Sequence, residues 1–281
     1  MKISSAIAAF EKAFFWDSGE SNGKMLKKST WTGAYLPYLR VLDSLAGSEP
    51  ICVDLLSKAL AQYNAGTRSY QICRQVYFQL ARSAGLDLPD QWGFIEEAYS
   101  DKKGVKDRKP LSDEEIISGI ELIANKRWRL VYALMAAYGL RNYEAFFCDV
   151  SQLVDTGTGI LTVPEIVNNP ARLVLPYMHD WLHVLGVDKL AREKEPLPQI
   201  CTDLRKTTLQ QIGRRSAEQF RRYGCPFAPG DLRHSWAVRA VNVGAPATVV
   251  ARAMGVDIPL FVKMYRPWVD QKDREYMEAL R

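Results

Sequence analysis

GDLRHSWAVRAVNVGAPATVVARAMGVDIPLFVKMYRPWVD, residues 230–270, is the stretch on which the reading of this chain turns. It opens with Asp231-Leu-Arg-His234 leading into an apolar helix, and a second helix is expected to start near Pro246. A third, short segment carries Tyr265 between Met264 and Arg266. A guanidinium has a fixed charge and a fork of donors that matches phosphate oxygens, and a phenol beside cations can serve as a nucleophile. The stretch therefore suggests a phosphate that is first gripped and then attacked. Whether the chemistry is complete depends on what the remaining chain supplies.

Working outward, residues 209–223 read as a helix with Leu209, Ile212 and Phe220 on one side and Arg214, Arg215, Arg221 and Arg222 elsewhere. The chain from Tyr177 onward is expected to be helical throughout. Between Val150 and Pro176 the pattern changes to β: a turn at Gly157 and Gly159, the run Ile160–Val163, the polar turn Asn168-Asn-Pro170, then Arg172–Pro176. That predicts a small antiparallel sheet of two or three strands. Arg127–Tyr138 forms an apolar helix ending at Gly139-Leu-Arg141, and Asn142–Phe147 is expected to be helical again. Ser112 and Glu115 form a capping box that opens this half of the chain.

Residues 101–111 are the clearest linker, dense in charge with a glycine and a proline. Lys102, Lys103, Lys106, Arg108 and Lys109 make it either a solvated connector or a basic strap across a nucleic-acid backbone. Before it, residues 1–100 read as a helical module. Ile7, Phe10, Phe14 and Phe15 share an amphipathic stretch, followed by a polar arm from Asp17 to Lys28. Trp31, Tyr35, Tyr38, Leu39 and Leu42 fall at three- and four-residue steps, and further helices are expected at Val53–Tyr63, Thr67–Ala84 and Trp92–Tyr99.

The chain has 281 residues, which favours two domains, and 47% apolar residues, ample for a sizeable core. A net charge of +5 suits a polyanionic partner without requiring one. Cys52, Cys73, Cys148, Cys201 and Cys225 are odd in number and scattered, so they are expected to be reduced core thiols of a cytoplasmic protein. Glu11 and Lys12 interrupt the N-terminal apolar run, which argues against a signal peptide, and no run is long enough to span a membrane.

Several local patterns carry less than they promise. His179-Asp-Trp-Leu-His183 copies the spacing of a zinc helix, but has a shorter acid and no evident third ligand, so no metal is expected. Asp155-Thr-Gly157 reads as a hairpin turn, and Gly157-x-Gly159 lacks the rest of a dinucleotide fingerprint, so no cofactor is expected.

Three segments acquire meaning together: Gly139-Leu-Arg-Asn-Tyr-Glu144, Asp231-Leu-Arg-His-Ser-Trp-Ala237, and Ala253-Met-Gly255 followed by Tyr265 and Trp268. Over residues 112–270 the chain resembles the tyrosine recombinase (phage integrase) family, in particular its cyanobacterial integrase-like members, whose tyrosine is closely followed by a tryptophan. The resemblance implies a mostly α (α+β) protein. A helical N-terminal core-binding-like domain (1–100) would precede a catalytic domain (112–281) with a small antiparallel sheet, the two clamping double-stranded DNA. It further implies Tyr265 as nucleophile, with Arg141 and Arg233 neutralising the attacked phosphate. Strand cleavage and rejoining would pass through a 3′-phosphotyrosyl link that conserves the bond energy. Arg214, Arg215 and His234 join the residues of the 101–111 strap as candidate DNA contacts. Residues 270–281, with Tyr276, Met277 and Leu280, would form a C-terminal helix that packs on a neighbouring protomer, the alternative being a frayed tail.

The sequence also departs from the family. The hairpin lysine that protonates the leaving oxygen is replaced at about Asn168, and the two histidine positions are Gly230 and Val256. Two functions follow: an active recombinase of DNA recombination or integration with an unusual acid, or a recombinase-derived DNA binder, regulatory or architectural, with a degenerate site. A helical protein with no nucleic-acid role is the third alternative.

Overall fold

A computed structural model describes residues 1–16, 28, 30–89, 92, 109–155, 158–167, 169–176, 178 and 180–279. The chain divides into two compact units, Met1–Lys102 and Lys103–Arg281. In the first, α1 (Ile3–Trp16) is followed by a π-helical turn at Trp31–Tyr35, α2 (Leu36–Ala46), α3 (Val53–Leu60) and α4 (Arg68–Ser83). Thr67 caps α4 by accepting from the Tyr70 amide. The core gathers Ile3, Phe10, Trp31, Leu39, Leu42, Leu56, Tyr77 and Leu80, with Tyr35 and Tyr38 of the expected stripe partly buried against it. Phe14, Trp31 and Tyr35 add close ring contacts, with centroids 5.0–5.8 Å apart. The expected arm at 17–27 and most of the helix at 92–99 lie outside the described residues.

The second unit is built around α6 (Lys126–Tyr138), whose residues Leu130–Tyr138 are all buried. A helix apolar on every side must be surrounded, and α6 packs against the helices at Pro229–Asn242, Val187–Ala191 and Asp113–Glu121. Its predecessor α5 (Asp113–Glu121) opens on the expected capping box: Ser112 Oγ accepts from the Glu115 amide, and Glu115 accepts from the Ser112 amide. After α6 come a single 3-10 turn (Glu144–Phe146), a one-turn helix α7 (Gln152–Asp155) and strands β1 (Leu161–Val163) and β2 (Arg172–Val174). The strands pair antiparallel with Leu161 opposite Val174 and Val163 opposite Arg172. Short helices α8 (Trp181–Val184) and α9 (Val187–Ala191) lead to α10 (Leu209–Arg222), α11 (Pro229–Asn242), α12 (Ala247–Met254) and α13 (Ile258–Ala279).

Five expectations need correction. The helical run from Tyr177 is interrupted, since residues 192–208 contain no helix. Asn142–Phe147 makes one 3-10 turn only, and Asp155 closes α7, while residues 156 and 157 lie outside the described set. The segment carrying Tyr265 is part of a 22-residue helix rather than short. Of the cysteines, Cys73 and Cys148 are buried, but Cys201 is exposed. Among the described residues no helix is long and apolar enough to cross a membrane, and no group of three or more His, Cys, Asp or Glu is placed to hold a metal ion.

Candidate active site

Arg141 owes its position to the way α6 ends. Gly139 adopts φ +63°, and a Cβ there would lie 2.5 Å from the Trp236 ring, so both conformation and space require glycine. The chain then turns, burying Leu140 and presenting Arg141 at the edge of the core. Its amide and Nη1 donate to Glu144 at 2.7 and 2.8 Å, and its Nη2 donates to the Gly255 carbonyl at 2.7 Å. The next residue docks on α10: Asn142 Nδ2 donates to the Gly213 carbonyl, and Ser216 Oγ donates to the Asn142 carbonyl.

Arg233, one turn into α11, donates from Nη1 to the Gly139 carbonyl and from Nη2 to the Met254 carbonyl, each at 2.6 Å. Glu144 Oε2 stands 4.0 Å from its Nη1. Burial, reinforced by the neighbouring Arg141 and Arg172, pulls the guanidinium down to about 10, against the opposing pull of Glu144 and Tyr265. Arg233 therefore stays charged at neutral pH. The two arginines singled out in the sequence share one pocket.

The structure adds two residues to them. Glu144 is fully buried and is the carboxylate around which the arginines gather. Burial alone would push it up, but the hydrogen bond and charge of Arg172, the Arg141 amide and the charge of Arg233 outweigh that and hold it below the usual glutamate range. Arg172, on β2, donates from Nη2 to Glu144 Oε2 and from Nε to the Ala253 carbonyl, both at 2.7 Å. Three guanidiniums against one carboxylate leave the pocket strongly positive, the charge needed to hold a phosphodiester. Glu144 carried a sequence signal, its i,i+3 spacing from Arg141. Arg172 carried none beyond being a charge in an apolar strand.

Tyr265 lies at a kink within α13, with φ −107° and ψ 15°. Pro267 accounts for the break, since it lacks an N–H and its ring crowds the carbonyl one turn back. The Tyr265 ring is 2% exposed, stacked on Phe261 (4.7 Å, 27°) and His234 (5.5 Å, 22°), with Trp268 6.0 Å away. His234 is itself buried and meets Trp268 edge-on at 5.3 Å. It forms a wall of the tyrosine's pocket.

The departed positions are also informative. Gly230 is exposed in the first turn of α11, and a Cβ there would meet open space. Val256 follows the turn that ends α12 and is half-buried, Lys263 is exposed, and Asn168 lies outside the described residues. Lys102, Lys103, Lys106 and Arg108 lie outside them too. Lys109 is exposed, as are Arg214 and Arg215 on α10, where Arg214 pairs with Glu218 at 2.8 Å.

Comparison with known structures matches this architecture over the whole chain. The Tn1549 transposon integrase in complex with circular intermediate DNA superposes with a TM-score of 0.59 at 15% identity, covering 100% of both chains. A lambda integrase tetramer bound to a Holliday junction gives 0.60 at 15% identity, covering 93% of this chain and 77% of that one. The chain shares its fold with these integrases. Residues 4–92 match the family described as XisA/XisC excisase second domain. Excisase A of Nostoc sp. (strain PCC 7120 / SAG 25.82 / UTEX 2576) is 23% identical over 242 residues, 77% of this chain and 48% of that protein. Excisase C of the same organism is 27% identical over 157 residues, 53% of this chain and 30% of that protein. The chain thus spans about half the length of the first curated relative and less of the second.

Proposed function

We propose that the chain is a DNA-binding protein of recombinase type that cleaves and rejoins strands through Tyr265. The observation that carries this reading is the convergence of Arg141, Arg233 and Tyr265. Both guanidiniums bond to the turn that ends α12, and His234, next to Arg233 on α11, stacks on the Tyr265 ring at 5.5 Å. In the reaction, Tyr265 Oη attacks the phosphorus and gives its proton to solvent. A P–OTyr bond forms, the P–O5′ bond breaks, and the departing 5′ oxygen takes a proton from water. Arg141 and Arg233 neutralise the charge that builds on the non-bridging oxygens. Reversal by a 5′-hydroxyl from another strand restores the phosphodiester without ATP or metal.

In this proposal residues 1–100 form a DNA-binding module and residues 112–281 the catalytic domain, with 101–111 as a basic connector between them. Arg214 and Arg215, exposed on α10, contact the duplex backbone. The end of α13, with Tyr276 and Met277 67% and 62% exposed, packs on a second copy when the protein assembles on DNA. The protein acts in the cytoplasm, at the nucleoid.

A second reading has its own support. Gly230 and Val256 supply no acid or base, and the tyrosine is buried. These features favour a DNA binder that keeps the phosphate grip without the reaction. The two are separated on a duplex that the protein itself selects from a random pool, nicked so that cleavage traps the enzyme. The enzyme forms a covalent adduct that Tyr265→Phe abolishes while affinity is kept. A protein that binds the duplex yet forms no adduct is the binder.

A further inference from the structure

Arg172 belongs to neither the set of residues singled out in the sequence nor the reaction just proposed, yet its guanidinium bonds two separate parts of the pocket. Its side chain is 7% exposed. It sits on β2, where pairing with Val163 fixes its backbone, and it reaches across to the C-terminal end of α12. That end is unusual in what it holds. The carbonyls of Ala253, Met254 and Gly255, three in succession, each accept from a different arginine: Arg172 at 2.7 Å, Arg233 at 2.6 Å and Arg141 at 2.7 Å.

The physical reason lies in how helices end. The last carbonyls of a helix have no partner within it and carry the negative end of its dipole, so they attract cations. Here α12 closes with Gly255 at φ +60° and the Val256 amide bonded back to Ala251. That turn leaves the three carbonyls free to point into the pocket. A Cβ on Gly255 would lie 3.2 Å from the Arg172 guanidinium, so the arginine packs flat against the turn it binds. Its other hydrogen bond goes to Glu144, the carboxylate that also fixes Arg141. Arg172 thus joins the two structures that orient the other arginines: the buried carboxylate and the end of α12. A planar fork can span both, whereas a single ammonium can reach only one of them.

We propose that Arg172 is a positioning residue of the phosphate site, holding Arg141 and Arg233 in one arrangement by tying Glu144 to the carbonyls that end α12. Its Nε and Nη2 donate to the protein, so it acts through Arg141 and Arg233 rather than on a substrate. The turn it secures runs within three residues into α13, so the same tie also sets where the tyrosine helix begins. The placement of the side chains stands by itself; its consequence for catalysis rests on the proposed recombinase reading.

The test uses the full chain as wild type, Arg172→Met and Arg172→Lys. Nitrogen-15 spectra of the arginine side chains are recorded without DNA, with signals assigned through Arg141→Lys and Arg233→Lys. Held guanidiniums give separate, slowly exchanging Nη protons. The expected result is that R172M averages or loses these signals for both Arg141 and Arg233, while R172K keeps them in part. Unchanged signals in R172M overturn the proposal, and should R172M fail to fold, fully wild-type signals in R172K overturn it equally. The catalytic consequence is read with saturating duplex: R172M slows adduct formation about 10²-fold, the scale of a small misplacement of reacting groups. The salt dependence of binding stays unchanged, because no phosphate contact is lost. A wild-type rate in R172M severs the link to catalysis, and a salt slope lower by about one shows direct phosphate contact instead. A wild type that forms no adduct at all sinks the recombinase reading, while the spectra still decide the role of Arg172.

Discussion

Replacing Glu144 by glutamine keeps the shape of the side chain and removes the charge that three arginines share. The carboxylate is fully buried and accepts from the Arg141 amide, Arg141 Nη1 and Arg172 Nη2 at 2.7, 2.8 and 2.7 Å. A glutamine offers one oxygen, and its amide nitrogen would face guanidinium donors. Removing one partner from a buried ion pair typically costs about 3–5 kcal/mol. The whole folding free energy of such a unit is only about 5–15 kcal/mol. With a urea slope of about 2 kcal/mol per molar, the unfolding midpoint of the second unit should fall by about 1.5–2.5 M. The pH dependence follows from the depressed carboxyl. Its stabilisation is complete above the ordinary glutamate value of about 4.3 and disappears as pH falls through the lower folded value. Urea titrations of both proteins across that range should therefore converge toward low pH. A midpoint shift under about 0.5 M at pH 7, or curves that stay parallel in acid, would refute the reasoning.

Three other outcomes are expected. Gly255→Ala adds a Cβ at φ +60° and crowds Arg172 at 3.2 Å; the left-handed conformation alone costs about 1–2 kcal/mol, so thermal unfolding should show a clear loss. Neutralising Arg141 or Arg233 should weaken duplex binding at every sequence, and should flatten the plot of log affinity against log salt by about 0.9 per lost phosphate contact. Gly230→His places an imidazole one helical turn before Arg233, in open space. Acid–base groups contribute about 10²–10⁴-fold, so adduct formation should accelerate by at least an order of magnitude.

The local features of the sequence translated directly. The apolar run of α6, its stop at Gly139 and the capping box at Ser112 are decided by residues within one or two turns of each other, and all three are found. Arg141 and Arg233, singled out through short motifs around helix ends, do meet at one turn. What failed to show was decided at a distance. Arg172 bonds a carbonyl 81 residues further on, and a three-residue strand gives no alternation from which to tell which of its side chains turns inward. The length of α13 was hidden by Pro267, which ordinarily ends a helix but here only kinks it at Tyr265. The stretch 192–208 holds too few periodic residues to forbid a helix by inspection, yet it runs without one beside α9 and α10.

The measurement that bears most directly on the central claim replaces the departing 5′ oxygen by sulfur in a self-selected duplex. A thiolate leaves without help, since a thiol ionises near pH 8.5, so the missing acid for the leaving group no longer limits the reaction. The phosphate grip of Arg141 and Arg233 and the attack by Tyr265 are then the groups under test. A covalent adduct is expected, located on Tyr265 by peptide mass spectrometry and absent in Tyr265→Phe. Saturated binding of that duplex with no adduct, or an adduct on any other residue, would contradict it.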